Sequence, residues 1–156
     1  EDDTFSTASL GLRDNMRILS TFVVACTLLF TQSVLGQSAL YTASSKAQGA
    51  PFDLVVTEIK REPSKSFLSV PDFHKRTAPG ARWLMCAYTD LTLKRGFSHW
   101  FVVYPPENND VLVVGFSNSP NASPKELLGN DFNKERVLGE TFMPVEKFTP
   151  MCGMRR

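Results

Sequence analysis

Residues 99–104 and 111–116 are two strand-like runs with no polar face. Phe101 and Val103 alternate with Trp100, Val102 and Tyr104, so both sides of the first run are apolar. Val111, Val113, Leu112 and Val114 do the same in the second. A strand that is apolar on both sides must be covered on both sides. Pro105, Pro106, Glu107, Asn108, Asn109 and Asp110 lie between them and carry turn chemistry, so the two runs pair as a hairpin.

The element before this hairpin supplies one cover. Residues 81–95 form the best helix in the chain. Leu84, Ala87, Tyr88 and Leu91 fall on one face at helical spacing. Thr77 is placed to cap the start, with Pro79 in the first turn. Lys94 and Arg95 suit the negative end of the helix dipole, and Gly96 is a natural left-handed stop. The apolar stripe would cover Phe101 and Val103, or alternatively Trp100 and Val102. The other face then needs loops, residues 62–80, or a partner. Trp100, Tyr104 and Phe116 share a parity and are the expected binding or interface residues.

Elsewhere, residues 52–61 alternate as a half-buried strand, and residues 136–145 read as another, ending at Pro144. Residues 62–80 hold Pro63, Pro71, Pro79 and Gly80 and read as a long loop, with room for one short strand at Phe67 and Leu68. Residues 117–131 read as a surface loop with one helical turn. The expected fold class is α+β: a small, mostly antiparallel sheet of about four strands with one main helix on a face.

The chain of 156 residues has room for one modest domain. Its N-terminal part reads as an address. Met16 and Arg17 lead into the apolar run 18–30, followed by a more polar stretch to Gly36, the three-part layout of a secretory signal cleaved before Gln37. The run is short for a membrane span of about 20 residues, and an uncleaved anchor over residues 18–35 is the alternative. Residues 1–15 are acidic and do not suit a signal, so biosynthesis is expected to start at Met16. Val23, Val24, Ala25 and Cys26 look like a lipoprotein cleavage box, but the apolar run continues past Cys26, as for a passenger cysteine. The expected organisation is a non-native or upstream segment 1–15, a signal peptide 16–36, a flexible lead-in 37–50 and a single domain 51–156. Export to the periplasm or outside the cell is the corresponding expectation.

The mature chain 37–156 keeps two of three cysteines, Cys86 and Cys152. In an oxidising compartment an even pair favours one disulfide, contributing about 3–4 kcal/mol; two separate buried thiols are the alternative. The formal net charge of +1 excludes the charge excess of a nucleic-acid binder. With two histidines and three cysteines the chain is too poor for a rich metal site, and no zinc, phosphate-loop or dinucleotide motif occurs. No cofactor is expected.

Chemistry has one candidate set. Cys86, Asp90 and His99 would serve as thiol nucleophile, orienting acid and base if helix and strand bring them together. The commoner meaning is a mid-helix cysteine and a strand-opening histidine. Gly115, Phe116, Ser117, Asn118 and Ser119 lack the second glycine of a hydrolase elbow. Glu58, Glu62 and Asp72 look like ordinary surface acids.

The run 87–103, with Asp90, Leu91, Thr92, Leu93, Gly96, Phe97 and the aromatic strand start His99, Trp100 and Phe101, resembles the helix-to-strand core of small bacterial envelope lipoproteins and exported proteins. The resemblance implies an envelope-located α+β module and no activity. The expectation is an exported binding or assembly protein, as a homo-oligomer or with an envelope partner. The alternative is a small exported enzyme using Cys86 with His99.

Overall fold

A computed structural model describes residues 40–154. They belong to the compact unit Ala39–Arg156. The expected segments 1–15 and 16–36 lie outside the described residues.

The fold is α+β, with six strands rather than about four. They are β1 (Thr42–Ser44), β2 (Val55–Glu62), β3 (Lys65–Ser69), β4 (His99–Val103), β5 (Val111–Ser117) and β6 (Met143–Pro144). The sheet order is β1-β2-β3-β5-β4-β6, and every pairing is antiparallel. The main helix α1 (Ala78–Lys94) connects β3 to β4, and the short helix α2 (Pro124–Leu128) follows β5. Among the described residues no helix is long and apolar enough to cross a membrane.

The local signals explain most of this. Thr77 caps α1, its hydroxyl accepting from the Gly80 N–H at 3.4 Å. The helix therefore begins at Ala78, three residues earlier than the stripe alone implies. It ends where Gly96 turns left-handed at φ +77°. The expected hairpin is β4–β5, with Trp100 opposite Phe116 and Val102 opposite Val114.

Two expectations are corrected and a third, the short strand within 62–80, is extended. The lead-in is part of the fold from residue 40 on: Tyr41, Ala43 and Ser45 are buried. The Ser45 hydroxyl donates to the Phe52 carbonyl at 2.7 Å and accepts from the Leu54 N–H at 2.8 Å, so this polar stretch is tied by its own serine. The proline-rich 62–80 segment contains a full strand, β3. Ser66 and Leu68 are buried while Lys65, Phe67 and Ser69 are half-buried, and β3 is central, paired with both β2 and β5. The expected strand 136–145 shrinks to one bridge, Val103 to Val137, and the two-residue β6. Leu138, Gly139, Glu140 and Thr141 are exposed, so that stretch has no face to bury.

The register decides which face α1 covers. Trp100, Val102, Leu112, Val114 and Phe116 join Val56 and Leu68 under Leu84, Ala87, Tyr88 and Leu91. The opposite face carries Phe101 and Val103, packed with Leu128 and Phe142 and lined by Leu127, Phe132 and Val137. The chain that covers it runs between β5 and β6. Gly115 makes its docking possible: a Cβ there would stand 2.9 Å from Leu128 Cδ2. The same face remains partly open at the β1–β2–β3 end, where Val55 and Thr42 are exposed and Phe67 is half-buried with Lys60 4.8 Å over its ring.

Candidate functional site

The first two turns of α1 present a second row of side chains. Pro79, Arg82, Trp83 and Cys86 recur at i, i+3, i+4 and i+7, one side of a helix. Together with Ala78 they form one wall of a cleft of about 440 Å³. Gln48 and the tail residues Met151 and Cys152 complete the lining. Small-molecule sites span about 300–1,000 Å³, so the cleft is of ligand size.

Its walls are held in place. Cys86 and Cys152 form a disulfide with their Cα atoms 5.5 Å apart. The Cys152 N–H donates to the Phe148 carbonyl at 3.0 Å, and the Met154 N–H to that of Thr149 at 3.1 Å. Phe148 in turn packs on Trp100, ring centroids 5.1 Å apart. The Trp83 indole N–H donates to Gln48 Oε1 at 2.7 Å, locking the indole across the cleft. Among the described residues that line it, Arg82 is the sole charged one. The start of α1 offers little else to an anion. Pro79 has no N–H, and the Gly80 N–H is taken by Thr77.

A second cluster sits at the other end of α1. The Glu58 side chain is 0% exposed, against the expectation of a surface acid. It lies where a bulge interrupts the β2–β3 register. Oε1 accepts from Arg61 Nε at 2.8 Å and from the Ser66 hydroxyl at 2.6 Å, with the Arg95 guanidinium 3.5 Å away. Oε2 accepts from the Tyr41 N–H at 2.9 Å and from a second Arg61 nitrogen. Burial pushes this carboxyl's pKa up, but the hydrogen bonds from Arg61, Ser66 and Tyr41 and the Arg61 charge outweigh it and hold the pKa at about 2. Arg95 also donates to the Glu62 carbonyl at 2.5 Å and the Pro63 carbonyl at 2.9 Å. The cluster thus ties the end of α1 to the β2–β3 turn. Its acceptor sites are filled by donors of the protein itself, so the carboxylate holds these segments together. Glu62 and Asp72 match the surface expectation better, pairing with Lys60 at 2.7 Å and Lys75 at 2.7 Å.

The expected catalytic set has other partners. Cys86 is bridged, and a bridged sulfur is no thiolate nucleophile. The Asp90 carboxylate accepts from Lys94 at 2.7 Å, and the His99 ring bonds through Nδ1 to the Ser98 hydroxyl at 2.8 Å. The expected interface residues are also relocated. Trp100 and Phe116 are each 0% exposed beneath α1, and Tyr104 packs 5.4 Å from Phe73. Their shared parity is legible in the sequence, but it marks the helix-covered face. Among the described residues no group of three His, Cys, Asp or Glu is placed to hold a metal.

Arg82, Trp83, Gln48 and Met151 carry no motif. A signal for them exists: a Cys86–Cys152 bridge obliges the tail to lie over the row containing Pro79, Arg82 and Trp83. Compared with known proteins, the chain matches no family model, no curated protein and no solved structure.

Proposed function

We propose that this is an exported protein of the bacterial cell envelope or periplasm that works by binding or assembly rather than by catalysis. The observation that carries this is the Cys86–Cys152 bridge. Disulfides persist in oxidising compartments, and this one uses the cysteine pair that remains once a signal segment is removed. It also takes the thiol that a cysteine mechanism would need. The 440 Å³ cleft beside the bridge and the open β1–β2–β3 end of the second face supply surfaces for a ligand or an envelope partner.

The test is intact mass of the protein recovered from its native compartment, alkylated with and without prior reduction. The expected result is a chain beginning at Gln37 that takes no alkyl group until reduced. Freely alkylated Cys86 and Cys152 in a cytosolic fraction would overturn the proposal. A mass that retains residues 18–35 would replace a free exported protein with an anchored one.

A further inference from the structure

We infer that the cleft between the start of α1 and the C-terminal tail is a binding site for a small, flat aromatic carboxylate. This rests on the binding reading of the protein and gives that reading a ligand class.

The lining is chemically one-sided. Arg82 is exposed, has no ion pair among the described residues, and presents five donors at the rim. No carboxylate among the described residues lines the cleft to neutralise it. Indole nitrogen only donates, so the Gln48 atom facing Trp83 at 2.7 Å is its oxygen. The amide nitrogen of Gln48 is left as a second donor. The two polar side chains therefore offer hydrogen to an acceptor anion. The guanidinium fork matches the two oxygens of a carboxylate.

The rest of the lining is apolar and soft. Trp83 is half-buried, Met151 is 47% exposed, and Pro79, Ala78 and the disulfide complete the surface. Indole faces, guanidinium planes and thioether sulfur all favour aromatic rings. The indole is held by Gln48 and the tail by the bridge to Cys86, so the walls are pre-organised and binding orders little. A rigid ring system also loses less freedom on entry than an alkyl chain.

The probe is 2-naphthoate, titrated into the bridged mature chain by calorimetry and followed through the two indole N–H resonances. Saturable binding is expected, with the Trp83 resonance moving and that of the buried Trp100 staying. Arg82→Gln should weaken binding about tenfold, the loss of one charged hydrogen-bonding partner. Arg82→Lys should keep part of the affinity, and neutral 2-naphthalenemethanol should bind about tenfold more weakly than the acid. Arg82 is exposed, so its variants keep the fold. Absence of saturable binding, or an Arg82→Gln chain that binds as tightly as the parent, overturns the site. Octanoate binding as well as naphthoate overturns the aromatic assignment. An exported, bridged chain without naphthoate binding sinks the site alone. A cytosolic dithiol chain that still binds sinks the proposed location alone.

Discussion

The two faces of the sheet bury apolar side chains by different means. One lies under a capped helix of 17 residues whose stripe of Leu84, Ala87, Tyr88 and Leu91 seats on Trp100, Val102 and Phe116. The other is closed by the chain between β5 and β6, through α2 and isolated side chains such as Phe132 and Phe142. The helix satisfies its own backbone and brings a continuous apolar row. The second cover satisfies its backbone piecemeal. Ser123 caps α2 at Glu126, and Asn133 accepts from the Glu135 N–H at 2.9 Å. An apolar face therefore needs no second long helix, only anchors at the right places. The cost is a thinner cover that stops short of β1 and β2.

The largest expected effect breaks the helix-covered face. Trp100→Ala should destabilise by about 3–5 kcal/mol in urea unfolding, because Tyr88 and Phe148 both pack on that ring. A loss near that of a surface mutation would mean that α1 does not carry the core. Glu58→Gln should cost about 3 kcal/mol near neutral pH, since two guanidinium groups lose their buried carboxylate. Its sign with pH follows from the lowered folded pKa. The carboxylate's contribution is complete above its ordinary value of 4.5 and fades as pH falls towards about 2. Urea midpoints measured between these values should fall steeply for the parent and less for the variant; parallel curves would contradict the assignment.

Smaller effects sharpen the contrast from the other side. Leu128→Ala should cost about 2–3 kcal/mol, low in the range for buried leucine, because an irregular cover can settle into the space. Should it match Trp100→Ala, the two covers are energetically equal. Gly115→Ala should cost about 1–2 kcal/mol through the clash with Leu128. Combining it with Leu128→Ala should recover most of that loss, which thermal unfolding of the double variant would report.

Legibility follows the range of the forces. The start and stop of α1, the β4–β5 hairpin and the apolar pairing of their faces are set by neighbours in sequence, and they are readable there. Strand β3 is obscured by its flanking prolines; they bound it rather than forbid it, and the alternation of Ser66, Leu68 and Val70 is its sign. Glu58 sits in a strand of ordinary polarity, and nothing local announces a buried acid. Its burial depends on Arg61 and on Arg95, which arrives from the end of α1.

By itself the sequence determined that helix and hairpin would form, that both sides of the hairpin need cover, and that Cys86 and Cys152 are an even pair. Capping, periodicity and turn chemistry act over a few residues. Only the tertiary structure decided that Trp100 rather than Phe101 faces α1, that residues between β5 and β6 close the second face, and that Gln48, Arg82, Trp83 and Met151 meet around a bridge. Strand parity carries no label for up or down, and a cleft belongs to no single segment. Both are settled when distant parts of the chain compete for the same apolar surface.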